Sequence, residues 1–181
     1  MLNHDETQTI KRAAAGNRLA MHTLVTSHSA NIYALAYRMV TNAQDAEDIT
    51  QDAFVRLWKM LPKWRPDAKL STWLHRVTLN LSYDHLRKKR PVLFETPPEQ
   101  VDDALRPDQH VERTQTEKIV ADAISRLAPR QRAAITLTAL QGYANKEAAD
   151  MMDIKVAALE SLLARARRAL KTDLAELKEE L

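Results

Sequence analysis

Among 181 residues there are only two glycines, Gly16 and Gly142, against an average share of about 7%. So little glycine leaves few positions for tight turns or close backbone approach. Ala, Leu, Arg, Lys, Glu and Gln dominate, all good helix formers, while runs rich in Val, Ile and aromatics are absent. An all-α chain is expected. The same scarcity excludes a dinucleotide fingerprint and a P-loop, since neither glycine pattern can be written. There is no cysteine, which excludes disulfides, thiolate metal sites and a cysteine nucleophile. The six histidines are scattered without HExxH or comparable ligand spacing, so no metal, cofactor or catalytic residue is expected. The opening MLNHDETQTIKR has no apolar signal core, and no apolar run approaches the roughly 20 residues of a membrane span. The sequence therefore reads as that of a cytoplasmic protein.

Charge divides the chain into three blocks. Residues 1–90 carry 14 Lys/Arg against 8 Asp/Glu, residues 91–117 carry 2 against 7, and residues 118–181 carry 11 against 9. Two basic blocks flanking an acidic one suit a polyanionic partner. Ordinary solvated helix faces would give the same counts. Helical pattern covers about Gln8 to Met39, Ala43 to Leu61 and Ser71 to Lys89, with Thr41-Asn42 and Pro62–Asp67 as punctuation. From Pro91 to Asp108 there are four prolines, five acids and few large apolar residues, which is the composition of a linker. Helical pattern resumes near Val111, restarts at Pro129 and stops at Gly142. Two small helical domains are expected, 1–92 and 113–181, joined by a flexible acidic linker at 93–112.

Three constellations carry chemistry. Near the C-terminus, a helix capped by Asn145, a turn at Asp153-Ile154 and a second helix from Val156 to about Leu170 read as a helix-turn-helix. On the second helix Val156, Leu159, Leu163, Ala166 and Leu170 form an apolar stripe. The opposite face carries Ala157, Ala158, Ser161, Arg165 and Arg168. Small residues allow close approach to base edges, and arginines hold phosphate or guanine. An amphipathic surface helix with a basic outer face has the same pattern.

The helix from Ser71 to Lys89 turns Leu74, Val77 and Leu81 inward and presents Arg76, Asn80, Tyr83 and Arg87 outward. Aromatics among cations with a hydrogen-bonding amide are what unstacked bases call for. Trp64, Lys69 and Trp73 extend that chemistry upstream, with Trp64 expected to be exposed between two prolines. The third constellation is the helix Asp45–Lys59. Ile49, Ala53, Leu57 and Leu61 line one side, with Phe54 and Trp58 beside them as core. Asp45, Asp48 and Asp52 lie elsewhere, with Gln51 at their edge. This is a solvated acidic face or a docking surface for a basic helical partner.

In this order and spacing the three resemble the sigma-70 family of transcription initiation factors, in its compact extracytoplasmic-function form with regions 2 and 4 only. The resemblance runs from about Asn17 to Leu170. It implies that Asp48, Gln51 and Asp52 contact core RNA polymerase on its β′ subunit, with β as a further polymerase contact. It implies that Trp64, Lys69, Trp73, Arg76, Asn80, Tyr83 and Arg87 melt and read the −10 element. Lys155, Ala157, Ala158, Ser161, Arg165 and Arg168 would read the −35 element. The acidic stretch Glu95–Asp108 would thread the polymerase cleft. Asp153 stands where the family usually has glycine, and Asp tolerates the left-handed conformation better than most residues. Lys155 stands at a position usually held by a Ser or Thr cap, and Glu160 and Leu162 replace frequent basic residues. The implied function is promoter-directed initiation with no small-molecule substrate and no bond chemistry, restrained by an anti-sigma factor. The alternative is a free-standing helix-turn-helix regulator, which would leave the basic aromatic helix at Arg76–Arg87 without a purpose.

Overall fold

The computed structural model of the chain describes residues 4–64, 69–89 and 115–179. All regular structure among them is helical: α1 (His4–Ala14), α2 (Arg18–Val40), α3 (Ala43–Met60), α4 (Leu70–Lys89), α5 (Gln115–Arg126), α6 (Pro129–Ile135), α7 (Asn145–Met152) and α8 (Val156–Glu179). A 3-10 turn, Leu61–Lys63, follows α3, and a π-helical segment, Thr136–Leu140, continues α6. The expected linker 93–112 lies outside the described residues.

Local chemistry sets the breaks. The helical pattern drawn through Gln8–Met39 is in fact two helices. Gly16 adopts φ +87, and the Asn17 side chain caps α2 by accepting from the Ala20 N–H at 2.9 Å. Helix α2 ends on Thr41 in the left-handed conformation, φ 56, and Asn42 caps α3 through the Asp45 N–H at 2.9 Å. Adjacent C-cap and N-cap residues turn the chain sharply enough to lay α3 back on α2.

Helices α2, α3 and α4 form the first bundle, with α1 against α2. Its centre is Ile32, Leu35 and Met39 of α2, Ala46 and Leu57 of α3, and Leu70 and Leu74 of α4, all fully buried. Each large apolar side chain there stabilises the fold by about 1.5–3 kcal/mol. The second bundle, α5 to α8, closes around Leu137, Met151, Leu159 and Ala166. Its helix-turn-helix has the expected turn and the expected start of the second helix at Val156, but that helix runs on to Glu179 rather than ending near Leu170. Asp153 takes the left-handed conformation at φ 55, and the Ile154 N–H returns to the Ala149 carbonyl at 3.0 Å, closing the end of α7. The expected cap of α7 is corrected: Ala144, not Asn145, occupies the cap position, without a side-chain bond, and Asn145 is already helical.

The two bundles are packed together. Their buried residues form one continuous apolar cluster, and buried Arg132 on α6 ties them. Its guanidinium donates to the Met39 carbonyl at the end of α2 at 2.6 Å, to Leu127 at 3.2 Å, and to Ser125. These carbonyls end helices, where the dipole favours a cation. Burial still draws the Arg132 pKa down.

Candidate nucleic-acid and protein interface

Helix α3 is half core and half surface. Asp48, Gln51 and Asp52 are exposed on its outer side, with the Gln44 amide 3.4 Å from Asp48. Asp45 behaves differently: its Oδ2 lies 3.1 Å from His85 and 2.6 Å from Lys89, so it braces α3 against α4. Trp58 corrects the sequence reading. It is 50% exposed rather than core, and Val55 is 49% exposed. At 100° per residue Val55 and Trp58 fall on the side of Asp48 and Gln51. The outer face therefore pairs carboxylates with an unburied indole, a mixture typical of protein interfaces rather than of a purely solvated face.

Helix α4 carries the candidate strand-binding set, and its placement is less open than its sequence suggests. Asn80 and Arg87 are exposed, and Arg87 donates to Asp84 at 2.8 Å. Trp64 is half-buried rather than exposed, because it packs edge-on against Trp73 at 6.2 Å. Lys69 donates to Glu147 of α7 at 2.7 Å. That bond raises the Lys69 pKa and lowers that of Glu147. Arg76 donates to the Asp150 carbonyl at 2.7 Å and pairs with the Asp153 carboxylate at 3.2 Å. Tyr83 is half-buried, and burial pushes its pKa up to about 12 despite nearby Arg130 of α6. His75 is 1% exposed. It shares a 2.7 Å hydrogen bond with the Ser71 carbonyl and meets Tyr143 edge-on at 5.0 Å across the bundle boundary. Burial lowers its pKa.

Helix α8 matches its expected face. Lys155, Ala157, Ala158, Ser161, Arg165 and Arg168 are all exposed, while Leu159, Leu163 and Ala166 are buried. Val156, placed on the inner stripe from sequence, is 39% exposed at the first position of α8. Leu162 is half-buried against the core. Among the described residues no group of three His, Asp or Glu side chains could hold a metal. None of their helices is long and apolar enough to cross a membrane.

Residues 24–92 match the family described as Sigma-70 region 2, and residues 117–170 match Sigma-70, region 4. The chain belongs to the sigma-70 family. Several of its relatives are named as extracytoplasmic-function sigma factors. SigM of Mycobacterium tuberculosis is 31% identical over 156 residues, 86% of this chain and 78% of that protein. SigE of Mycolicibacterium smegmatis is 32% identical over 170 residues, 90% of this chain and 66% of that protein. Thus the chain spans about two thirds of that relative's length. A solved structure of CnrH in complex with the cytosolic domain of CnrY superposes with a TM-score of 0.70 at 27% identity, covering 93% of this chain and 96% of that one. Sigma factors are transcription initiation factors rather than enzymes, and the candidate DNA-facing residues of α4 and α8, Lys69 to Arg87 and Lys155 to Arg168, fall within the two matched regions.

Proposed function

We propose that this chain directs core RNA polymerase to specific promoters by a division of labour between its two bundles. Residues 1–92 dock on polymerase and engage the −10 element, 113–181 anchor on the −35 element, and 93–112 join them. Asp48, Gln51 and Asp52 meet basic groups on the polymerase β′ subunit, with Val55 and Trp58 supplying apolar contact. Lys69, Arg76 and Arg87 hold the strand backbone while Asn80 reads a base edge. Trp64, Trp73 and Tyr83 offer aromatic faces to unstacked bases. Stacking worth about 1–3 kcal/mol per base offsets a melting cost of about 1.4 kcal/mol per step. Ala157, Ala158 and Ser161 admit base edges to the first turns of α8, and Lys155, Arg165 and Arg168 hold phosphate or guanine.

The observation that carries the proposal is the outward acidic-apolar face of α3, set beside a basic aromatic helix and followed by an exposed recognition helix. A free-standing regulator would need none of the first. An anti-sigma factor is proposed as a further partner, supported by the similarity to CnrH held by the cytosolic domain of CnrY. Permanganate reactivity of thymines in a −10 element tests the reading. Unpaired thymines are expected only when core polymerase and this chain are present together. Reactivity with core alone, or none with both, would defeat it.

A further inference from the structure

Between α5 and α8 lies an open cleft of about 570 Å³, a size typical of small-molecule sites. Ala123 and Leu127, both buried, give it an apolar floor. Three guanidiniums line it: Arg126 from α5, and Arg165 and Arg168 one turn apart on α8. Asp173 is the one carboxylate among the described lining residues. Its Oδ2 accepts two bonds from Arg126, from Nε at 3.1 Å and from a terminal nitrogen at 2.7 Å. That clamp commits the carboxylate to one arginine and fixes its guanidinium at the cleft. Arg165 and Arg168 are left with no carboxylate of their own there. A solvated basic helix spreads its cations, whereas two helices here converge theirs on one concavity. Like charges so placed repel until an anion joins them.

We infer that this cleft binds phosphate groups, with Arg165 and Arg168 on one side and Arg126 on the other. The Gln131 side chain, also on the lining, adds an amide donor. Three guanidinium forks and an amide offer more donors than the two oxygens of a carboxylate can accept, and they suit a run of phosphate oxygens. Two sources carry that chemistry: the polyphosphate of a free nucleotide, and consecutive backbone phosphates of a duplex lying along α8. For the duplex, the assignment rests on α8 being the −35 surface, and it extends that surface to Arg126 of α5. For a nucleotide it stands without that reading. Because Arg165 and Arg168 are shared, a bound nucleotide would then compete with −35 DNA.

The test uses the full chain with Arg126→Gln and, separately, Asp173→Asn. Their side chains are 51% and 29% exposed, so neither change threatens the fold, and circular dichroism checks helical content. Equilibrium dialysis measures binding of adenosine triphosphate and of inorganic pyrophosphate. In a second arm, holoenzyme binding to a −35 duplex is measured across salt concentrations. Arg126→Gln is expected to weaken phosphate binding about tenfold. Asp173→Asn removes the competing carboxylate and keeps the arginine, so it should strengthen binding about threefold. On the duplex, Arg126→Gln should make the salt slope shallower by about 1. A merely structural pair would move both variants in the same direction. Opposite changes in the dialysis arm identify a free nucleotide as ligand, and opposite changes in the duplex arm alone identify the DNA backbone. Changes of one sign, binding that neither variant alters, or no probe binding with unchanged duplex binding would each overturn the site. Arg165→Ala separates the two readings. Duplex binding that survives it unchanged would defeat the −35 assignment of α8, and the dialysis arm alone would then decide the cleft.

Discussion

The guanidinium of Arg132 reaches across the bundle boundary to the carbonyl of Met39, 93 residues earlier in the chain, at 2.6 Å. Its other bonds end on Ser125 and Leu127, so one buried cation satisfies carbonyls at the ends of two helices. Arg132→Ala leaves those carbonyls buried without a donor, at a cost of about 3 kcal/mol. A fall in melting temperature of about 8 °C is expected. Arg132→Lys should recover only part of it, because one ammonium cannot reproduce the planar fork. Thermal denaturation of both variants checks this.

Asp48 and Asp52 should separate binding from folding. Both are exposed, so Asp48→Arg with Asp52→Arg is expected to leave the melting temperature within about 2 °C while weakening core polymerase binding at least about tenfold. Asp45→Ala should do the reverse, because Asp45 braces His85 and Lys89. Pull-down with core polymerase, read beside melting curves, distinguishes the two.

His75 makes stability depend on pH with a definite sign. Its folded pKa lies below the ordinary 6.5 because burial penalises the imidazolium. The charged and polar groups about it are His28, which opposes protonation, and Gln141 and the Ser71 carbonyl, which favour it. Between the two pKa values the unfolded chain binds a proton that the folded chain refuses. Stability should therefore be full above about 6.5 and decline as pH falls below it. Melting curves from pH 7.5 to 5 should show that decline, and His75→Gln should flatten part of it.

Arg168 and Asn80 should leave different signatures. Arg168→Ala is expected to weaken duplex binding on all sequences and to reduce the salt slope by about 1, as loss of one phosphate contact requires. Asn80→Ala should shift base preference in the −10 element by about 1–3 kcal/mol at one position, with little change in salt slope. Holoenzyme binding across salt concentrations and promoter variants measures both.

Several helix ends and most of the α8 face were readable from the chain because local rules decide them, whereas the break at Gly16, the cap of α7 and the exposure of Val156 were not. Gly142 and Pro129 punctuate, Asp153 accepts a left-handed turn, and the 3.6-residue period separates Leu159, Leu163 and Ala166 from Arg165 and Arg168. Trp58 escaped that logic. Periodicity places it beside the core, but α2 and α4 fill the space beneath α3 and leave the indole outside. Arg76 and His75 escaped for the opposite reason, because the groups they meet, the Asp150 carbonyl and Tyr143, come from a bundle more than 40 residues away. Arg132 left a faint signal, a cation directly followed by the apolar run Ala133–Ile135, all of it buried. Its partner Met39 could not be named without the tertiary fold.

Run-off transcription with purified core polymerase, this chain and a promoter library tests the central claim most directly. Discrete transcripts from a small set of promoters sharing −35 and −10 elements are predicted, lost when Asp48 and Asp52 are reversed. Specific duplex binding without polymerase, no stable complex with core and no transcript would contradict it.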